Sequence, residues 1–339
     1  MNVLKPVKNS LQAAFAHIND GYQSVQSAAI SKSGVAHKLN WTGLPEKNIG
    51  ELLFWTTITA TVFVIVLLIS VTRELEKLLD PLLFKIKRFA PYIMQITLGV
   101  SLIVSAHYGG LFGPQLPLVE IFGATAEIIQ VMIYTGGFML LFGIFPRMIS
   151  FAVVLLSLPL AVDYTTHMLT HATYVGEALT IFAFGGAYHS LENAKAGVDS
   201  ITEEIRLHLH KYKFAILRLF LGFSLIASAV YSRLFVATEL ETIIANTQLV
   251  SFFPSPSFLL FGLILLEVLF GLFFIVGFEL RFASIAYLAF LVFSITLFGE
   301  PVWQSIILIG TPLAMFTHGY DTYTVGGTLF SRGNLEPIL

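Results

Sequence analysis

Two stretches of this 339-residue chain are near copies of each other. Residues 93–112 read IMQITLGVSLIVSAHYGGLF and residues 216–235 read ILRLFLGFSLIASAVYSRLF; at a constant offset of 123, 11 of the 20 positions are identical. The matches include Gly99/Gly222, Ser101/Ser224, Ser105/Ser228 and Tyr108/Tyr231, which apolar composition alone does not explain. A second set follows at offset 134. Gly137-x5-Gly143-x3-Arg147 returns as Gly271-x5-Gly277-x3-Arg281, and Gly176-x8-Gly185 as Gly310-x8-Gly319. The change of offset marks an 11-residue insertion between Phe235 and Ser257. Self-similarity on this scale predicts a duplicated domain.

The copies are too apolar for an ordinary soluble protein. Hydrophobic residues make up 56% of the chain and charged residues 12%, against about 25% charged in typical soluble domains. Apolar runs of about 20 residues are long enough to cross a bilayer. Nine spans are expected, at 52–72, 89–110, 124–145, 148–164, 172–189, 213–235, 257–277, 281–298 and 302–318. A spanning backbone must satisfy its own hydrogen bonds, so each span is predicted to be a helix. The fold class is therefore all-α, a polytopic integral membrane protein. A net charge of −2 gives no basis for binding nucleic acid, and with no cysteines there are no disulfides, thiolate metal sites or cysteine-held clusters.

Basic residues predict the orientation. Arg73, Lys77, Lys85, Lys87, Arg88, Arg147, Lys195, Arg206, Lys211, Lys213, Arg281 and Arg332 fall on one side of the nine-span arrangement. Glu120, Glu239, Glu241 and Glu300 occupy short loops on the other, with Arg233 at a helix end. The positive-inside rule puts the basic side and the C-terminus in the cytoplasm and the N-terminus outside, in the plasma membrane of a prokaryote. No cleavable signal peptide is read at the start, so the first span is expected to remain as an anchor.

Six segments follow. Residues 1–50 are extracytoplasmic; there Val7, Leu11, Phe15, Ile18, Tyr22, Val25 and Ala29 line one face of an amphipathic helix over 7–30, suited to a membrane surface or a partner. Asn40-Trp41-Thr42 is a glycosylation sequon. Residues 51–88 hold the first span and a cytoplasmic connector, 89–190 the first copy, 191–212 a charged linker helix, 213–320 the second copy and 321–339 the tail. Four spans per copy is an even number, which predicts parallel repeats about an axis near the membrane normal. Ser101, Ser105 and Gly109, like Ser224 and Ser228, give the four-residue spacing of small residues that lets membrane helices approach closely.

The second copy resembles the DoxX family of four-helix membrane proteins. The residues carrying the likeness are Leu217-Arg218-Leu219-x-Leu221-Gly222, Arg233-Leu234, Glu267-x3-Gly271-x5-Gly277-x3-Arg281 and the last span from Gly310 to Gly319. The first copy is similar but more diverged. It keeps the second-helix glycines and Arg147, carries Glu177 in its fourth span and ends in Ser190-Leu191-Glu192, but has Gln95 for the first-helix arginine and Ile133 for the second-helix glutamate. The resemblance covers about two-thirds of the chain. It implies association with membrane oxidoreductase assemblies, such as the small subunit of an archaeal thiosulfate:quinone oxidoreductase or complexes handling oxidative stress. Relatives in the wider superfamily are chaperones or cargo receptors without redox chemistry.

Two groups of residues could carry chemistry. Glu267 lies midway along its span, where a carboxylate costs about 2.5–3.5 kcal/mol on insertion scales. Arg218 lies about six residues from the centre of its own span, close enough for its side chain to reach toward Glu267. The two form either a buried ion pair that fixes helix packing or a proton-accepting carboxylate beside a bound quinol. The second group belongs to the first copy alone: His107, Asp163, His167, His171 and Glu177 are expected at the outer ends of its helices, whereas the second copy has Val230, Leu297, Pro301, Ser305 and Thr311. Imidazoles with carboxylates suit zinc, copper or non-haem iron, or a haem, while histidines at a membrane surface are more commonly just solvated.

No Walker loop, nucleophile elbow, dinucleotide fingerprint or zincin motif occurs. The expected role is a DoxX-like membrane subunit of a larger respiratory or quinone-linked redox assembly. It would contact lipids and other membrane subunits, with a quinone-facing pocket at Glu267 and Arg218. The alternatives are a non-catalytic scaffold for partner proteins and lipids, and a small-solute carrier whose path runs between the copies.

Overall fold

The computed structural model describes residues 59, 69–71, 82–113, 115–184, 200–234, 256–298, 302–319 and 323–324. The amphipathic stretch 7–30, the sequon at Asn40, most of span 52–72, the closing Ser190-Leu191-Glu192 and the insertion after Phe235 lie outside the described residues. Among the described residues there is no strand; a single antiparallel bridge joins Gly110 and Pro117.

A helix is present in each of the eight expected spans from residue 89 onward. They are α1 (Ala90–His107), α2 (Ala126–Leu141), α3 (Pro146–Asp163), α4 (Ala172–Phe184), α5 (Ser200–Ser228), α6 (Pro256–Val276), α7 (Leu280–Phe298) and α8 (Ile306–His318). Short helices at Leu118–Phe122 and Thr165–Thr170 link them, and α5 ends in a π-helical turn, Ala229–Leu234. Five segments are long and apolar enough to cross a membrane: Leu82–His107, Leu118–Leu141, Pro146–Asp163, Tyr212–Tyr231 and Leu259–Val276. Ala172–Phe184 and Leu280–Thr296 are shorter apolar helices. Large apolar side chains such as Val131, Met132, Phe142, Leu158, Val162, Val292 and Phe293 are exposed around the bundle, as a lipid-facing exterior requires.

The eight helices close into a ring, each touching the next and α8 touching α1. Helices α1, α4, α5 and α8 also pack across the centre, α4 against both α1 and α8, and α5 against α8. Glycines set the tightest crossings. A Cβ added at Gly99 would lie 2.9 Å from the Gly137 carbonyl oxygen, and one at Gly137 would lie 2.8 Å from that of Gly99. The α5–α6 crossing has the same form, 2.5 Å from Gly222 to the Gly271 oxygen and 2.8 Å in return. Between α4 and α5, a Cβ at Gly176 would collide with Phe220; between α8 and α1, one at Gly310 would collide with Thr97. Gly176 and Gly310 are 134 apart, and Thr97 and Phe220 are 123 apart, so the fourth helix of each expected copy rests on the first helix of the other.

The turns match too. After α2, Gly143 and Phe145 have φ of 69° and 47°; after α6, Gly277 and Glu279 have 71° and 45°. Each turn closes with a bond back to the same place, Ile144 N–H to Met139 O at 2.7 Å and Phe278 N–H to Phe273 O at 3.1 Å. This is the Schellman closure that a glycine after a helix permits.

Gly222→Ala should force α5 and α6 apart and destabilise the protein by about 1–3 kcal/mol. At Gly262, also in α6, an added Cβ meets nothing within 4 Å, so Gly262→Ala should be neutral or stabilise by up to about 1 kcal/mol. Thermal unfolding of the two variants in detergent measures the contrast.

Candidate functional site

The most polar place inside the bundle lies among α1, α4 and α8. Thr97, Ser101 and Ser105 recur every four residues on α1 and so share one face. Tyr174 and Glu177, three apart on α4, share another. Thr311 comes from the middle of α8. Ser101, Ser105, Glu177 and Thr311 are 0% exposed and Tyr174 is 1% exposed, so whatever these groups bond must lie inside the protein.

At the floor of this cluster Thr97 Oγ1 stands 2.7 Å from Glu177 Oε1. The same hydroxyl is 2.8 Å from the Ile93 carbonyl and 3.1 Å from that of Met94. A hydroxyl has one proton to donate. When Glu177 is a carboxylate, Thr97 donates to it; when Glu177 carries the proton, Glu177 donates to Thr97, which then donates to its own helix. Both protonation states are served by turning one hydroxyl. Glu177 Oε2 faces Thr311, and the Tyr174 hydroxyl faces Ser101 and Ser105, yet none of these five oxygens closes a well-formed hydrogen bond. Pro312, next to Thr311, leaves the Leu308 carbonyl without an intrahelical donor.

The structure does not bring His107, Asp163, His167, His171 and Glu177 together. His107 Nδ1 shares a hydrogen bond of 2.9 Å with the Tyr134 hydroxyl, and Asp163 is exposed at the end of α3. His167 meets the ring of Tyr231 edge-on at 5.3 Å. His171 Nε2 lies 3.2 Å from Gln115 Oε1 and its ring meets Tyr174 at 6.0 Å. Glu177 is inside with Thr97 instead of at the outer ends. Among the described residues no three of His, Asp and Glu stand close enough to hold a metal ion. The reason is helical phase: α4 begins at Ala172, so His167 and His171 belong to the connection before it, while Glu177 turns inward one turn later.

Glu267 is buried at the middle of α6, and Arg218 is buried on α5, but they sit at different depths. The Gly222–Gly271 crossing puts Ile226 level with Glu267, leaving Arg218 about 12 Å away along the axis at ~1.5 Å per residue. Arg218 Nη2 donates to the Tyr323 carbonyl at 2.9 Å, and its guanidinium fills the space beside Gly277. There it approaches the C-terminus of α6, where carbonyls lack helical donors. Gln95, the aligned residue of the first copy, donates from Nε2 to the Leu140 carbonyl at the end of α2, at 2.6 Å. Gln95 thus bonds the end of α2, and Arg218 lies beside the end of α6.

Thr97, Tyr174 and Thr311 were not singled out by motif or periodicity; the signal present was the Ser101/Ser105 spacing, which reads equally well as close helix packing.

Residues 214–300, spanning most of α5, α6 and α7, match the model of the DoxX family. The second half of the chain is thus similar to a DoxX domain over that stretch, within a helical chain that has five segments long and apolar enough to cross a membrane. No curated protein and no solved structure matches the chain.

At the end of α4 where Tyr174 lies, burial, helped by the nearby His167, lowers the pKa of His171 from 6.5 to about 4. The ring is enclosed by Gly113, Gln115 and Tyr174. Burial lowers the pKa of His167 as well. A histidine with a depressed native pKa takes up its proton more readily when unfolded, so stability is intact above about pH 6.5 and falls as pH drops toward 4. Thermal stability in detergent should decline over that window by on the order of 3 kcal/mol in total, and His171→Gln should flatten the decline.

Proposed function

We propose that the chain is a DoxX-like integral membrane subunit of a larger, quinone-linked redox assembly in the plasma membrane of a prokaryote. What supports this reading is a carboxyl, Glu267, buried midway along a helix of the DoxX domain. A quinol gives up two electrons and two protons as it becomes a quinone; a carboxylate at its head group accepts one proton, water takes the other, and the electrons pass to a redox group of a partner subunit. Arg218, anchored at Tyr323 and Gly277, fixes the end of the helix that carries Glu267. The exposed apolar belt accommodates lipids and a quinone tail.

The same proposal includes nine spans, with 89–190 and 213–320 as parallel copies preceded by one further span. The reciprocal packing of α4 on α5 and of α8 on α1, and the paired glycine crossings, support it. The positive-inside rule favours an outer N-terminus and a cytoplasmic C-terminus. A small-solute carrier is the second reading, favoured by the polar cluster around Glu177 at the junction of α1, α4 and α8.

On native electrophoresis the protein should co-migrate with redox subunits, and Glu267→Gln should lower the quinol-dependent rate of that assembly about 100-fold or more. Co-migration with an unchanged rate would make the chain a scaffold. Migration alone, with solute uptake into proteoliposomes, would make it a carrier.

A further inference from the structure

We infer that the oxygens around Tyr174 line a proton path from the His171 end of the bundle to Glu177, which is its buried terminus. This inference stands apart from the quinone-linked reading, since it concerns a different carboxyl and needs no partner. The path begins at Gln115, which is exposed and reaches His171 Nε2. His171 meets Tyr174, whose ring stacks on Phe112 at 4.7 Å and is held in place. The Tyr174 hydroxyl faces Ser105 and Ser101. One turn deeper is Glu177, between Thr97 and Thr311.

Five oxygens on this line are fully buried and pair only loosely with one another, Tyr174 with Ser105 and Ser101 and Glu177 with Thr311: Ser105 Oγ, Tyr174 Oη, Ser101 Oγ, Glu177 Oε2 and Thr311 Oγ1. Buried polar atoms left in that state cost about 1–3 kcal/mol each, whereas waters with two to four such partners satisfy them. The set contains no nitrogen and a single carboxyl. It extends over about 12 Å from Thr97 to Ser105 at ~1.5 Å per residue, too long for the shell of one cation and suited to a file of waters. A proton entering by way of His171 passes along hydroxyls and waters and bonds to the Glu177 carboxylate, giving a neutral acid. Thr97 turns its hydroxyl to accept from it. No bond to carbon changes and no electron moves.

No charged side chain among the described residues with a defined contact faces Glu177. On α1 His107 bonds Tyr134 at the helix end; on α3 Arg147 and Asp163 lie at opposite ends. On α5 Lys213 covers the ring of Phe184 and Arg218 holds Tyr323. On α8 His318 stacks on Phe214. Glu177 therefore shares its proton with no charged neighbour among the described residues; toward the His171 end its polar neighbours are Tyr174, Ser101 and Ser105, while Thr180 on the other side is committed to the Gly176 and Lys213 carbonyls.

The test is infrared spectroscopy of the full chain in lipid nanodiscs, first in H2O and then in D2O. A carboxylic C=O band missing from Glu177→Gln and kept in Glu267→Gln should shift within minutes of D2O exchange. Tyr174→Phe retains the ring stacked on Phe112 and removes the hydroxyl; it should slow that shift about tenfold. Absence of a Glu177 band at every pH, or a band that does not shift in D2O, overturns the inference. A wild-type exchange rate in Tyr174→Phe overturns it as well, and that variant still decides the matter if Glu177→Gln fails to fold. None of these readouts depends on quinol activity, so their failure leaves the proposal for Glu267 untouched.

Discussion

At Gly222 and Gly271 two helix backbones meet with no side chain between them, and Gly99 and Gly137 meet in the same way. Much of the bundle follows from these contacts. Inside a bilayer there is little hydrophobic gain in joining two apolar helices, so close van der Waals approach has to hold them. A crossing with no side chains at its centre fixes the sliding register of both partners. That register puts Gln95 under the end of α2, where it donates to the Leu140 carbonyl, and Arg218 beside the end of α6, where it donates to the Tyr323 carbonyl. It also puts Ile133 and Glu267 at corresponding places, so the buried carboxyl of α6 has an apolar counterpart on α2.

The second constraint is reciprocal. Gly176 admits Phe220, and Gly310 admits Thr97. Helix α4 thereby leans on α5, and α8 on α1. Side chains on α4 and α8 consequently face the centre from both directions. Glu177 and Thr311 are aligned residues, 134 apart in sequence, and they meet there. Where a strictly symmetric duplication would place two carboxyls or two hydroxyls, this chain has one of each. A single carboxyl beside a hydroxyl has a partner in either protonation state, while two carboxylates that close would repel each other.

Much of this arrangement is legible in the residues. Helix positions from 89 onward follow from apolar runs, because lipid forces any spanning backbone into a helix. The crossing glycines and the Gly143 and Gly277 turns show as fixed spacings. Which helix of one half touches which helix of the other does not show, since an internal match describes a copy and not the face it offers its twin. Arg218 reads as a partner for Glu267 because both are ionisable and near mid-span; its bond to the Tyr323 carbonyl, 105 residues away in the tail, has no signal in residue spacing. Glu177 reads as an outer ligand because histidines precede it closely. One helical turn separates the surface connection from the buried face, and residue spacing alone does not locate where α4 begins.

The two buried carboxyls therefore differ in their surroundings. Glu267 lies on α6, a peripheral helix flanked by α5 and α7, at the depth where the α5–α6 pair is most tightly packed. Glu177 lies on α4, which touches α1, α3, α5 and α8, so lipid has no direct route to it. Glu267 is itself buried, on a helix at the edge of the bundle. A proton or water reaching Glu177 must come along the helix axes from one end, and the hydroxyls of Tyr174, Ser105 and Ser101 are on the side toward His171. The two carboxyls are thus enclosed differently, Glu267 by the neighbours of an edge helix and Glu177 by four helices around a central one.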